Sequence, residues 1–479
     1  MTQSVDHFAL LPLYAAAGTA LLVLLAEVTT GRRSVVFGAA LLGAAATAAG
    51  TGVVAAQGPR ATFCVGTDCS WVATPLAAVA AVLFAGLTAG VLALSVPALR
   101  LGAAPPGEFC FLLASSMTGG VTVAYAGDLI TLIVGLETLT LPLYVLVGLR
   151  RFAPRERVTT AGASAAVTFF LVSVVSTAVA LLGAALLYAA TGALHLAVLR
   201  STPAPGSPGT LAPLATVGAA LLVVGFGFKV AAVPLHAWAP ATYDGAPVPV
   251  AAYLSTASKL GGVVALAVVV PRLGTGWLVA VLAVLTMTVG NLVALRQTRM
   301  VRLLAWSSVA QAGYILAPLA AGAAGVPAAA AYAVFFVLLE FVAFGALVAL
   351  RRPVADGGEI ADYRGAGRRA PWRAAALVLA FAGLAGLPPG LAGLFAKVTI
   401  VDVLIDTGWA WLAGAVALNA VIALAYYVRA AAVLYAPDSP DAAARARVPG
   451  SVAAAVTLGA AVAVLVGLAP QLIFDALTP

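Results

Sequence analysis

Long uninterrupted runs of Ala, Val, Leu and Gly recur along the whole chain and constrain its fold more than any other feature. A helix that crosses a bilayer needs about 20 apolar residues, and such runs follow one another through the 479 residues. Only 9% of the residues are charged, whereas soluble domains carry about 25% charged residues. The sequence predicts an all-α polytopic membrane protein, a single integral membrane domain over residues 1–479. It excludes soluble enzymes, nucleic-acid binders and β-barrels, whose strands alternate in polarity.

Apolar runs bounded by charges, turns and Pro/Gly clusters predict fourteen membrane-spanning helices. The predicted spans are 8–29, 34–56, 72–98, 108–126, 128–149, 159–190, 211–234, 246–270, 276–295, 302–322, 326–350, 372–400, 409–436 and 450–471. When alternate loops are assigned to opposite sides, 18 arginines fall on one side and three on the other. Because cytoplasmic loops collect Lys and Arg, both termini are predicted to lie outside.

Proline interrupts two of these spans. Pro234 follows the lysine of span seven in GFGFKVAAVPLHAWAP, and Pro388 and Pro389 precede the lysine of span twelve in GLPPGLAGLFAK. Proline lacks a backbone N–H and breaks helices, and broken membrane helices line cavities. Spans four to eight and spans nine to thirteen form two groups of five that start on opposite sides of the membrane. The interrupted spans, seven and twelve, are fourth in their groups, which predicts two inverted repeats. The predicted parts are three N-terminal helices (1–107), the first five-helix repeat (108–270), the inverted second repeat (276–436) and a C-terminal helix (450–479).

Lysine is confined to the predicted membrane segments. The 25 basic residues comprise 22 Arg and three Lys, and Lys229, Lys259 and Lys397 all lie inside apolar spans. Arginine keeps its proton in proteins, whereas buried lysine can release one. A charge at the bilayer centre costs on the order of 2.5–3.5 kcal/mol, so the pattern indicates cations that change their charge inside the membrane.

Glu137 lies in the middle of span five and is the predicted partner of Lys229. If the two are adjacent, the carboxylate holds the lysine charged until the carboxylate is neutralised, which makes a switch. Lys259 lies well inside span eight beside several hydroxyl residues, which can hand on protons, and Lys397 follows the Pro-Pro break. We interpret all four as proton-transfer residues. The alternatives are a structural ion pair and lysines that extend to the membrane surface.

Two further ionisable residues have two interpretations each. His236 follows the break of span seven and is either a proton relay, since histidine titrates near neutrality, or a structural hydrogen-bonding group. Glu340 lies deep in span eleven and either extends the row of charges or pairs with a polar group such as Gln311. The separated histidines and cysteines lack metal-ligand spacing, so neither a metal nor a cofactor site is predicted. The sequence leaves open whether Cys64 and Cys69 form a disulfide in their outside loop.

Five motifs occur in order along nearly the whole chain: GDLITLIVGLETLTLPLYVL, LLYAATG, GFGFKVAAVPLHAWAPATYDGAPVPVAAYLSTASK, RLLAWSSVAQAGY, and GLPPGLAGLFAK with AYYVR after it. With them the chain resembles the antiporter-like membrane subunits of bacterial NADH–quinone oxidoreductase (respiratory complex I), subunit N above all. The resemblance implies fourteen helices in two inverted five-helix repeats. It also implies that Glu137 and Lys229 are a coupled pair, Lys259 the central relay and Lys397 the terminal site.

Three positions depart from the pattern of that family. Thr168 stands early in span six where the family usually has a lysine, and Ala241 stands where an aspartate commonly follows the Trp-x-Pro of span seven. Glu340 occupies a usually uncharged position. The departures would suit a divergent paralogue.

The resemblance and the buried charges together predict a proton-translocating subunit of a redox-driven NADH–quinone oxidoreductase, a translocase of the bacterial inner (plasma) membrane. The chain itself is expected to hold no redox centre, with NADH, FMN, iron–sulfur clusters and quinone on partner subunits. The expected partners are other membrane subunits of a complex I-type assembly, the lipid bilayer and protons, and not nucleic acid. The alternatives are a subunit of a multisubunit sodium/proton antiporter or of a membrane-bound hydrogenase-type complex, and an inert scaffold.

Overall fold

Long helices dominate the fold in a computed structural model that describes residues 5–149, 156–200, 211–351, 355–388, 390–437 and 448–477, with backbone only for 156–161 and 392. The α-helices are α1 (Leu11–Thr30), α2 (Arg33–Ala55), α3 (Pro75–Arg100), α4 (Pro106–Tyr125), α5 (Leu129–Gly148), α6 (Glu156–Thr191), α7 (Ala212–Lys229), α8 (Trp238–Gly245), α9 (Val248–Tyr253), α10 (Lys259–Leu273), α11 (Gly276–Ala294), α12 (Met300–Leu319), α13 (Val326–Leu350), α14 (Ala366–Arg369), α15 (Pro371–Ala385), α16 (Leu391–Asp406), α17 (Ala410–Tyr435), α18 (Gly450–Leu468) and α19 (Gln471–Leu477). A π-helix, Leu254–Ser258, joins α9 to α10, and 3-10 helices cover Gly322–Gly325 and Ile360–Tyr363.

Twelve helical segments of the described part are long and apolar enough to cross a membrane. These segments coincide with every predicted span except the tenth and the twelfth. At span ten, α12 has 20 residues, as many as α1, so it is long enough to cross. It differs from the twelve segments in its polar side chains, which make it less apolar than they are. Span twelve is divided between α15 and α16, of 15 and 16 residues, each shorter than a full crossing. The predicted helical membrane fold is confirmed, and the inverted repeats stay a prediction.

A β-hairpin between α2 and α3 departs from the all-helical prediction. β1 (Arg60–Val65) pairs antiparallel with β2 (Asp68–Ala73). Gly66 in the tight turn has φ +64°, a conformation that glycine adopts without steric cost, and two-residue turns of this kind close hairpins. Cys64 and Cys69 face each other across the strands and form a disulfide. The pairing that the sequence leaves open is therefore formed.

Burial divides the helices into a central set and a peripheral set. The α9–α10 segment and α13 are almost entirely buried. Large apolar side chains on outer helices are instead exposed, among them Leu42 (70%), Val175 (64%) and Leu458 (67%). Soluble monomers rarely expose contiguous apolar surface on this scale, so these outer faces are suited to lipid or to neighbouring membrane subunits.

Loops that the arginine pattern assigns to the same side also contact each other. On the predicted inner side, Arg299 binds Asp244 at 2.9 Å and Glu359 at 3.6 Å. Burial lowers the pKa of the Arg299 guanidinium, but the hydrogen bonds and negative charges of Asp244 and Asp356 more than offset this and hold it above its usual range. On the predicted outer side, Arg60 of β1 binds Asp6 at 2.9 Å. Each of these ion pairs therefore joins segments that the arginine pattern assigns to the same side.

Candidate functional site

The first group of buried ionisable residues lies where α5, α6 and α7 meet. Glu137, in the middle of α5, accepts hydrogen bonds at Oε1 from Lys229 Nζ (2.7 Å) and from Thr177 Oγ1 (2.5 Å). Lys229 also donates to Thr140 Oγ1 (3.1 Å) and Ser173 Oγ (3.0 Å). An ammonium group has three donors, and here all three have acceptors. The Lys229 side chain is 4% exposed and that of Glu137 is 28% exposed, so the carboxylate retains access to the outside of the bundle.

Lys229 is the last residue of α7, and the chain after it is not helical until α8 begins. Pro234 lies in this interruption, 230–237, after a cis peptide bond. The backbone N–H of Val233, which has no helical acceptor here, donates to Thr286 Oγ1 at 2.9 Å. A helix C-terminus carries a partial negative charge, so the end of α7 itself favours the ammonium group.

Lys259 begins α10 directly after the π-helix, a type of turn that is frequent at functional sites. Its side chain is 1% exposed, and Nζ donates to the main-chain carbonyl of Ser308 on α12 at 2.5 Å. The nearby hydroxyls of Ser255 and Thr256 donate to the carbonyl of Ala252 within their own helix. Within the part of the chain that the structure describes, Lys259 therefore uses one of its three donors.

Glu340, in α13, is fully buried, and neither of its carboxylate oxygens has a hydrogen-bond partner among the described residues. It interacts electrostatically with Lys259. Gln311, the partner considered from the sequence, bonds elsewhere: Oε1 accepts from the Tyr332 hydroxyl at 2.5 Å, and Nε2 donates to the Tyr427 hydroxyl at 3.0 Å. Glu340 therefore does not pair with Gln311.

A second interruption lies between α15 and α16. α15 ends at Ala385, and Gly386 follows with φ +84°, the left-handed conformation in which glycine commonly ends a helix. Pro388 lies exposed in the interruption, which ends where α16 begins at Leu391. Pro389, also predicted to break this span, lies outside the described residues.

Lys397, on α16, points back to the end of α15. Its Nζ donates to the carbonyls of Leu384 (2.9 Å) and Ala385 (2.8 Å), and it lies 5.1 Å from the ring centre of Tyr314. Carbonyls at the end of a helix have no helical donors and favour cations. The break in this span therefore supplies the binding site of its own lysine.

Neutral side chains form a hydrogen-bonded bridge between the two regions that hold Lys259 and Lys397. Gln311 Nε2 donates to the Leu384 carbonyl at 3.1 Å, the same carbonyl that accepts from the terminal lysine. Tyr427, on α17, accepts from Gln311 and is hydrogen-bonded to Ser307. Ser307 directly precedes Ser308, whose main-chain carbonyl accepts a hydrogen bond from Lys259.

The remaining residues singled out from the sequence lie outside the hydrogen bonds described above. His236 lies in the interruption after α7, with its ring 5.2 Å from that of Trp306 and with Nδ1 lacking a hydrogen-bond partner among the described residues. Thr168 and Ala241 are exposed. Across the described ranges, no three His, Cys, Asp or Glu side chains form a group suited to a metal ion.

The residues that sequence reasoning missed are neutral partners of the charged groups. Ser173 and Thr177 are four residues apart on apolar α6, a spacing that places both on one helix face. Tyr427 belongs to the AYYVR motif, which carried the family resemblance without suggesting a role for this tyrosine. The sequence could have indicated these residues only as hydroxyl side chains on one face of an apolar helix. That pattern does not show which charged group they contact.

Known proteins match this chain over most or all of its length. The family described as NADH:quinone oxidoreductase/Mrp antiporter, TM, matches residues 126–423. NADH-quinone oxidoreductase subunit N from Salinispora tropica is 60% identical and aligns with 99% of each chain. A chain of respiratory complex I from Thermus thermophilus with bound aureothin has a TM-score of 0.83 at 29% identity, covering 98% of this chain and 99% of that one. A chain of the Mrp complex from Dietzia sp. has a TM-score of 0.80 at 21% identity, with 98% and 96% covered, which shows a likeness of fold alone. The chain therefore belongs to the family of antiporter-like membrane subunits typified by NADH–quinone oxidoreductase subunit N.

Proposed function

We propose that the chain is the subunit N of a redox-driven NADH–quinone oxidoreductase and translocates protons across the bacterial inner (plasma) membrane. NADH, FMN, iron–sulfur clusters and quinone bind to partner subunits, and this chain holds no redox centre. Its neighbours are other membrane subunits of a complex I-type assembly. Both termini lie outside, and 108–270 and 276–436 are the inverted repeats, a proposal supported by the interruptions at corresponding places.

The observation that carries this proposal is the set of lysines buried among the helices. Lys229, Lys259 and Lys397 are 3%, 1% and 7% exposed, and each donates to oxygen atoms of a different part of the bundle. Burying a charge is unfavourable unless it is paired. Three buried lysines in one membrane protein are therefore suited to gaining and losing protons rather than to stabilising the fold.

The Glu137–Lys229 pair acts as the switch in this proposal. While Glu137 is ionised it accepts from Lys229 at 2.7 Å and holds the lysine charged. Because Glu137 is the more exposed partner, a change of charge in a neighbouring subunit acts on it first. When the pair opens, the positive charge on Lys229 is no longer compensated and repels a proton on Lys259.

The later half of the path runs from Lys259 to Lys397. Lys259 takes up a proton from the inside, and Lys397 releases one to the outside. The Gln311–Tyr427 bridge connects the two regions through hydrogen bonds. Moving one charge against 100 mV requires about 2.3 kcal/mol. Breaking a buried ion pair costs about 3–5 kcal/mol, so a redox-driven opening of the pair stores enough free energy for one such transfer. Such coupling is a free energy shared between the sites.

Substitution of Lys259 tests the relay. Lys259→Ala should abolish proton translocation through this subunit while the complex still assembles, measured as protons moved per quinone reduced in membrane vesicles. Lys259→Arg is the matched variant, because arginine keeps a positive charge and does not release its proton. We expect Arg to fail as Ala does, and a normal proton yield in either variant would contradict the relay.

The identity of the partners tests the assembly. The tagged chain, purified in mild detergent, should bring with it iron–sulfur and quinone-site subunits identifiable by mass spectrometry, together with quinone reduction. Recovery with sodium/proton antiporter subunits alone, and sodium-dependent exchange in vesicles, would instead support the antiporter alternative.

A further inference from the structure

Glu340 is the most unusual buried group in the described part of the chain. Its exposed fraction is 0%, and both carboxylate oxygens lack a hydrogen-bond partner among the residues that the structure describes. Buried polar atoms are almost always hydrogen-bonded, either to protein or to ordered water. A carboxyl group retained at the centre of the bundle without protein partners therefore indicates water at this position or a protonated acid.

The surroundings of Glu340 supply polar groups that are also unpartnered. Lys259 interacts with it electrostatically, but among the described residues it forms no direct ion pair and uses one donor, on the Ser308 carbonyl. The Ser308 hydroxyl is buried and forms no well-aligned hydrogen bond among the described residues, and its near polar neighbour is Tyr243. Tyr243 of α8 also interacts electrostatically with Glu340, and its ring contacts that of Phe344, one turn further along α13. Spare donors and acceptors thus meet where α8, α10, α12 and α13 pack together.

Ordered water satisfies such groups in proteins, making about three hydrogen bonds to buried polar atoms that otherwise lack partners. Water between Lys259 and Glu340 would use the spare donors of the ammonium and the free acceptors of the carboxylate. It would also provide a route for a proton between two groups that do not touch.

We propose that Glu340 receives the proton that Lys259 releases, through water held between them, and is an additional proton carrier placed before Lys397. This inference rests on the proposed function. An N–H bond of the ammonium breaks and an O–H bond of the carboxyl group forms, while the water passes the proton on. Ammonium and carboxylate become amine and carboxylic acid. The summed charge of Lys259 and Glu340 therefore does not change, and no redox partner is needed.

The position of Glu340 also suits the next transfer. Glu340 interacts electrostatically with Tyr427, the tyrosine of the bridge to the Leu384 carbonyl and Lys397. Glu340 therefore interacts both with Lys259 and with one member of the neutral bridge. A transfer that conserves charge limits the electrostatic cost of moving a proton through the buried interior of the bundle.

The test compares Glu340→Gln, which cannot carry the proton, with Glu340→Asp, which keeps the carboxyl group. In the complete complex, we expect Glu340→Gln to lower the number of protons moved per quinone reduced by the same factor as Lys259→Ala. Glu340→Asp should retain most of the yield, and Glu108→Gln, which removes an exposed carboxylate in the first turn of α4, should retain all of it. The double variant Lys259→Ala/Glu340→Gln should be no worse than either single variant, since groups that act in one path are not additive.

The outcomes separate this inference from the proposed function. A normal yield in Glu340→Gln with a loss in Lys259→Ala overturns the inference and leaves the function intact, whereas normal yields in both variants overturn the function as well. If Glu340→Gln does not assemble, infrared difference spectra of the unmodified complex and of Glu340→Asp decide instead. We expect a buried carboxylic-acid band that changes during turnover and shifts in the Asp variant. The inference is wrong if no such band changes, or if the band is the same in both proteins.

Discussion

Neutralising Glu137 is the sharpest perturbation of the switch. Glu137→Gln keeps the size of the side chain but removes its charge, so the Lys229 ammonium loses its ionic acceptor at 2.7 Å and keeps the two hydroxyls at 3.0 and 3.1 Å. Breaking a buried ion pair by removing one partner costs about 3–5 kcal/mol. Because the Glu137 side chain is 28% exposed, solvent screening lowers the expected cost below that range, to about 2–3 kcal/mol.

A double variant separates the structural from the functional part of this effect. Glu137→Gln/Lys229→Gln removes both charges, so the destabilisation should be smaller than for either single change, as in a double-mutant cycle. Thermal unfolding of the purified complex measures the stability, and protons moved per quinone reduced measures the coupling. We expect the double variant to regain stability and not to regain pumping.

Pumping restored in the double variant would refute the switch, because it would show that the pair has only a structural role. Full pumping in the single variant would refute it as well. Loss of both stability and pumping in the single variant is not sufficient support, which is why the double variant is needed.

Two further predictions concern packing and pH. Gly262→Ala would place a Cβ 2.8 Å from the Lys229 Cβ; overpacking of this kind costs about 1–3 kcal/mol, so both thermal stability and proton yield should fall. Gly86→Ala, with nothing within 4 Å, should leave both unchanged. The hydrogen bond from Arg60 holds the pKa of Asp6 below its usual 3.8, so this contact stabilises the fold above that pH and is lost as the pH falls through the lowered value. Cleavage of the β-hairpin by an acid-active protease should increase over that range, and Asp6→Asn should remove the dependence.

The fold was largely predictable because the membrane leaves few choices. Backbone groups in lipid must be satisfied within the helix, so apolar runs and prolines were enough to locate the spans and both interruptions. The hairpin was missed because its strands, Arg60–Val65 and Asp68–Ala73, are short and polar loop sequence surrounds them. Strand pairing of this length depends on the turn and on the partner surface rather than on a long periodic pattern.

The charged members of the site were predictable for a different reason. A lysine or glutamate in an apolar run is conspicuous, and Glu137 and Lys229 lie together although they are 92 residues apart. Their acceptors were not predictable, because many are main-chain carbonyls. The acceptor of Lys259 is the Ser308 carbonyl, and Lys397 binds carbonyls that are free only because α15 ends there. No side-chain pattern identifies such groups.

The two halves of the proposed path stabilise their buried lysines in different ways. At Glu137 and Lys229 the charges touch, and three hydroxyls complete the hydrogen bonds, so the pair is stable until one partner is neutralised. Between Lys259 and Lys397 the direct contacts are to uncharged groups, and Gln311 and the tyrosine bridge carry no charge. A direct ion pair in that region would hold the proton too tightly for onward transfer, since an opposite charge within a few ångströms favours the charged form of each partner. In the proposed transfer, a carboxyl group that interacts with Lys259 without a direct ion pair, as Glu340 does, would let a proton move without forming a stable ion pair.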